Sequence, residues 1–170
     1  ADSFTTDPLS GIFGILEHLE ERQSAVIQIL FKGTVNAWAE SIFRSVTDGN
    51  GKPFFENAPE MLPLAKEKIA SPLFGVAMRV IGVGLTVDEA QIVSQAVGKA
   101  FGRIYFSESN SLIPLYPEIP FEEIIAAIVF RESYLVGMLL NTSELATIVH
   151  LPSQSVMSDK LERDTRRTNH

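Results

Sequence analysis

The chain has 170 residues, 45% of them hydrophobic and 21% charged, with a net charge of −7 and no cysteine. That length and mix predict one soluble globular domain with a real core, and the missing cysteines exclude disulfides, thiolate metal sites and a cysteine nucleophile. Residues 1–152 hold 10 Lys/Arg against 18 Asp/Glu, a balance of −8, and residues 153–170 hold 4 against 3, a balance of +1; so acidic a body argues against direct nucleic-acid binding, because each neutralised phosphate takes a Lys or Arg.

In chain order, Asp7-Pro8 opens a helix, with Asp as cap and Pro at the first helical position. Leu9, Ile12, Phe13, Leu16 and Leu19 form its apolar stripe, and Glu17, Glu20, Glu21 and Arg22 its wet side. Ala25 to Lys32 is short, apolar and β-branched, and reads as a largely buried strand. Trp38, Ile42, Phe43 and Val46 mark a second helix, and Asp48 to Pro53 is the strongest loop signal in the chain. Ala58 to Ala70 reads as a helix with Leu62, Ala65 and Ile69 on one side, broken by Ser71-Pro72.

Leu73 to Gly84 is the clearest strand: Phe74, Val76, Met78 and Val80 share one face, and Arg79 shares the other with Leu73, Ala77 and Ile81. Thr86 and Glu89 have capping-box spacing and open a helix to about Ile104, with Ala90, Val93, Val97, Ala100, Phe101 and Ile104 inward. A polar loop covers Ser107 to Ser111. Leu112 to Tyr116 reads as a short edge strand, since Pro114 and Pro117 forbid a central one. Phe121 to Phe130 is a short helix or irregular turn. A strand in the apolar run Tyr134 to Leu140 then leads to Asn141, whose spacing to Glu144 is again a capping box. The last helix has Leu145, Ile148 and Val149 on one face and stops near His150, before Pro152. The order predicts an α+β fold: a two-layer sandwich of a small sheet with helices packed on one face, ferredoxin-like as the first topology.

Tests for chemistry come out empty. Gly49-Asn50-Gly51-Lys52 imitates a phosphate loop, but Val46 stands where its first glycine belongs and Pro53 follows the lysine, so it reads as a surface turn. Gly82-Val83-Gly84 lies between strand and helix like a dinucleotide fingerprint, yet Val87 takes the third glycine position and no acidic residue ends a second strand. His18, His150 and His170 are dispersed and suggest no metal site. No nucleophile-elbow pattern surrounds Ser133, Ser143 or Ser153, and Glu122-Glu123, Glu20-Glu21, Arg131-Glu132 and Lys66 to Lys68 read as surface charges. The expectation is a chain with no catalytic residue, metal or cofactor of its own. The candidate partner contacts are the aromatic pair Phe54 and Phe55, and Ile12 and Phe13 in the first helix, which is apolar enough to dock elsewhere.

No apolar run reaches the roughly 20 residues of a membrane span, and no signal peptide is visible. The start at Ala1 without Met and the polar end suggest a fragment of a longer protein, with residues 1–152 as the domain and 153–170 as a polar linker.

Four segments together resemble one family: TDPLSGIFGILEHLEERQSAVIQILFKG near the start, KEKIASPLFGVAMRVIGVG at Lys66 to Gly84, the helix from Asp88 with KAFGRIYFSESNSLIPL, and LNTSELATIVHLP at the close. In order and spacing they look like the large bacterial and archaeal proteins of the type IV secretion and conjugative DNA-transfer ATPases. There such a region precedes a P-loop motor of the HerA/FtsK-like class. The resemblance covers about residues 6–152 and departs at Ser143, where the pattern has Glu, and at Ile148-Val149. It implies a non-catalytic accessory or interaction domain in a parent ATPase. The implied partners are a downstream P-loop domain of the same chain, secretion-channel subunits, and further copies in a homo-oligomer. The implied location is cytoplasmic, at the inner face of the cell membrane through the parent. No catalytic residue carries over. The competing expectations are a small-ligand-binding α+β sensor, a domain unrelated to secretion, and an enzyme using dispersed carboxylates.

Overall fold

The computed structural model describes residues 7–33, 37–104, 110–116, 120–133, 137–153, 156 and 158. Its centre is an antiparallel sheet of β1 (Ser24–Gly33), β2 (Leu73–Val83) and β3 (Met138–Asn141), in the order β1-β2-β3. The helices are α1 (Ser10–Glu17), α2 (Ala37–Val46), α3 (Met61–Ile69), α4 (Val87–Phe101), α5 (Phe121–Val129) and α6 (Thr142–Val149). The α+β class is the expected one, but the helices are not all on one face of the sheet, because α5 is tied to the face opposite the core. A ferredoxin-like sheet has four strands; the described residues form three.

The register Gln28↔Arg79 and Ile27↔Val80 sorts the side chains. Ala25, Ile27 and Ile29 of β1 join Phe74, Val76, Met78 and Val80 of β2 on one face, under Leu9 and Ile12 of the first helical segment, Val97 and Phe101 of α4, and Leu145 and Ile148 of α6. Val76, Val97 and Leu140 are at most 1% exposed, and each such burial contributes about 1.5–3 kcal/mol. Helix α4 reaches the sheet because Gly82 and Gly84 leave room: a Cβ on Gly82 would stand 1.9 Å from the Ala90 carbonyl oxygen, and one on Gly84 would stand 2.7 Å from the Glu89 Cβ. The glycine pair of the strand exit is therefore a seat for the helix.

The opposite face is covered differently. Arg79 Nη1 donates to the Ala127 carbonyl at 2.9 Å, and Gln28 Nε2 to the Ile128 carbonyl at 3.0 Å, so the end of α5 is tied to this face by polar bonds. Arg79 also donates to Gln28 Oε1 at 2.6 Å. A cation at carbonyls that end a helix is favourably placed in its dipole.

Five expectations need correction. Helix α1 starts at Ser10 with Leu9 in the cap position and no side-chain cap, and the Asp7 carboxylate accepts from the Leu9 N–H in the turn before it. Ala25 to Lys32 is an edge strand, with Val26 47% and Phe31 55% exposed, because only β2 flanks it. Leu112 to Tyr116 forms no strand: Pro114 lies over Gly98 and Gly102 at the end of α4, and Leu112 packs against the core while Ile113, Leu115 and Tyr116 face out. In α6, Val149 is exposed and the buried face is Glu144, Leu145, Thr147 and Ile148. At α4, Thr86 Oγ1 accepts from the Glu89 N–H at 3.2 Å, but the Glu89 carboxylate turns to the Leu85 N–H, at 2.8 Å, rather than to the cap residue. Ser107 to Ser109 and most of 153–170 lie outside the described residues; of the latter, Val156 is buried and Ser158 Oγ donates to Glu17. No helix among the described residues is long and apolar enough to cross a membrane.

Candidate functional site

The turn after α2 shows how the chain presents its most exposed aromatic pair. Asp48 carries it: Oδ1 accepts from the N–H groups of Asn50, at 2.9 Å, and Lys52, at 2.7 Å, while the Gly51 N–H donates to the Asp48 carbonyl at 3.0 Å. Gly51 takes φ +76°, a conformation glycine adopts without penalty. A bridge between Thr47 and Pro53 and a bond from the Phe54 N–H to the Val46 carbonyl, 2.9 Å, close a small hairpin. The N–H groups that imitate a phosphate loop are thus turned onto Asp48. Phe54 and Phe55 follow at once, 64% and 41% exposed, their rings edge to face with centroids 5.1 Å apart. Of the other two candidate contacts, Ile12 is 2% exposed and belongs to the core, and Phe13 packs half-buried against it. Helix α1 therefore spends its apolar stripe on the core it shares with α4, and Phe54 and Phe55 remain as the exposed candidates.

A second cluster lies where β3 meets α6. Asn141 caps α6: its Oδ1 accepts from the Glu144 N–H at 3.0 Å, and the Glu144 Oε2 accepts from the Asn141 N–H at 2.8 Å. The expected capping box is present. Its acid also does more, because Glu144 is only 5% exposed. Lys68 pairs with it from α3 and donates to the Leu139 carbonyl at 2.8 Å; Asn110 Nδ2 donates to Glu144 Oε1 at 3.0 Å. Lys68 is thus no ordinary surface charge. The signal was in the spacing: Glu144 shares the helix face of Leu145 and Ile148 and must be buried with them. Its partner 76 residues earlier left no local sign.

A third cluster joins the two ends of the described chain. Asp7, 7% exposed, accepts from the Leu9 N–H at 2.9 Å and the Ser153 N–H at 2.6 Å. His150 Nε2 lies 3.0 Å from Asp7 Oδ1, and His150 Nδ1 lies 3.2 Å from the Ala146 carbonyl. Burial works to raise the Asp7 carboxyl, but the Ser153 and Leu9 N–H donors and His150 outweigh it and hold it down at about 2. His150 is the C-cap of α6, as expected of a histidine there; its bond to Asp7 is the addition.

These clusters tie elements together, and their polar atoms are engaged with one another. His18 Nδ1 donates locally, to the Gly14 carbonyl at 2.7 Å. No group of three or more His, Cys, Asp or Glu able to hold a metal lies among the described residues. Two open hollows lie among them, one along Glu122, Ile125, Ala126, Val129 and Phe130, the other along α2 and the Asp48 turn. Comparison with protein-family models, with curated proteins and with solved structures found no match to this chain.

Proposed function

We propose that this chain is a non-catalytic interaction domain that serves a type IV secretion or conjugative DNA-transfer ATPase. The observation that carries the contact role is the Phe54–Phe55 pair, held out on a turn whose backbone is fixed by Asp48. An exposed aromatic pair on a fixed turn offers the large, rigid apolar area that partner contacts use. The four-segment resemblance supplies the machine, with a P-loop motor in the same parent chain as the first partner. The clusters at Glu144 and Asp7 support a structural use of the buried polar residues, since their oxygens are taken up by donors within the fold. The rival sensor reading needs an enclosed apolar pocket, whereas the hollows at α5 and at the Asp48 turn are open.

Two experiments test the proposal. The parent reading frame after residue 170 should encode GxxxxGK followed by Ser or Thr; its absence ends the motor reading. The purified domain should bind that motor region in a pull-down and lose it on Phe54→Ser with Phe55→Ser, with the circular dichroism of the domain unchanged. Retained binding would remove the aromatic pair from the contact.

A further inference from the structure

The sheet has two edges, and only one is shut. At β3 the outer main chain is short and its groups are occupied: the Leu139 carbonyl accepts from Lys68, and the Asn141 N–H donates to Glu144. At β1 the outer edge runs for ten residues, Ser24 to Gly33. Among the described residues its main chain hydrogen-bonds only to β2, so every second residue presents an unpaired N–H and C=O outward. The usual protections of an edge are missing. The strand has no proline, its one charge is Lys32, near the end, and Val26 and Phe31 are 47% and 55% exposed.

We propose that β1 pairs antiparallel with β1 of a second copy, joining two three-stranded sheets into one of six strands. The occupant follows from the edge itself. Unpaired strand groups are satisfied by another extended strand, and the sequence of β1 is complementary to its own reverse. A two-fold axis normal to the sheet keeps each face on its own side, so paired residues must share a face and the register must centre on a residue. Centred on Gln28, it sets Val26 against Leu30, Ile27 against Ile29 and Ala25 against Phe31, and the single charge Lys32 meets Ser24. Centred one residue later, it would set Val26 against Lys32. The Gln28 register therefore covers both exposed apolar residues with apolar partners and places no like charges face to face. It also brings the two α5 ends to one side of the sheet near the axis, because each Gln28 holds the Ile128 carbonyl of its own α5. Val129 and Phe130 there, 67% and 72% exposed, extend the contact beyond the strands. This pairing does not depend on the motor reading.

The test uses the whole chain. Light scattering coupled to gel filtration at about 100 µM should give twice the monomer mass, since that concentration populates a dimer of Kd about 10 µM or tighter. Val26→Lys with Phe31→Lys, which puts charges at the two most exposed apolar positions of the edge and gives up the Phe31–Phe74 ring contact, should return the mass to that of a monomer, with unchanged circular dichroism. The chain lacks cysteine, so Gln28→Cys gives a single thiol that meets itself across the axis. Mild oxidation should convert it to a covalent dimer, and Val83→Cys, at the far end of β2, should stay monomeric. If the double lysine variant misfolds, the Gln28→Cys result decides. A wild-type monomer at this concentration overturns the proposal, as does a dimer that survives both lysines or fails to cross-link at position 28. Either of the last two outcomes moves the contact to another surface, such as Phe54–Phe55.

Discussion

The two sides of the sheet solve the same problem in opposite ways. Beside β3, polar side chains from α3 and α6 reach in and occupy the backbone, and the resulting cluster is buried and complete. Beside β1, the outward main-chain groups are left bare along ten residues, and among the described residues the polar fastening is between Gln28, Arg79 and the end of α5. The lesson is about distance along the chain. The closed side needs Lys68, Asn110 and Glu144, which are far apart in sequence, to meet at the backbone of its edge; the open side draws on β2 and the end of α5, and neither covers its outer main chain.

The contrast is broken most severely at Lys68. Lys68→Met leaves Glu144 buried without its cation, and should cost about 3 kcal/mol in chemical denaturation, the range for halving a buried ion pair. A loss below 1 kcal/mol would mean that the side is closed by its backbone alone. Acid should reveal the next largest effect. The Asp7 carboxyl titrates at about 2, below its ordinary 3.8. The stabilisation is therefore full above about pH 5 and is lost as pH falls from about 4 towards 2, to the extent of about 2 kcal/mol. Asp7→Asn should flatten that part of the pH–stability profile; an unchanged profile would assign the acid loss to other groups.

Removing the cap of α6 with Asn141→Ala should cost about 1 kcal/mol, read from the denaturation midpoint. The smallest effect belongs to the open side and has the opposite sign. Arg131 sits at φ +57° after α5, where the Glu132 N–H reaches back to the Ala127 carbonyl at 3.0 Å, a helix ending that suits glycine. Arg131→Gly should stabilise by about 0.5–1 kcal/mol; a loss would show that the arginine side chain holds this end in another way.

The fold was legible wherever periodicity and capping act over neighbouring residues. The β2 faces, the inward stripe of α4 and the Asn141 box are all local patterns, and the structure has them. What was hidden depends on tertiary placement. Nothing in Ala25 to Lys32 tells an edge strand from a central one, because both are short apolar runs. Pro114 rightly signalled that Leu112 to Tyr116 is no central strand, but only the seat on Gly98 and Gly102 explains where the segment goes instead. Of the candidate contacts, the exposed aromatic pair was visible from its loop setting. Ile12 was ambiguous by nature, since an apolar stripe looks alike whether it faces its own sheet or another molecule.

The clasp at Asp7 has a mechanical consequence. Its carboxylate takes the Ser153 N–H and faces His150, so residue 7 and residue 153 are direct neighbours. A load applied through the two flanks of the domain would not stretch the sheet along its strands. On the C-terminal side it would meet the buried Val156 and the Ser158–Glu17 bond, and then these few hydrogen bonds at Asp7. Tension between the flanks would be met at this closing contact before it reached the paired strands.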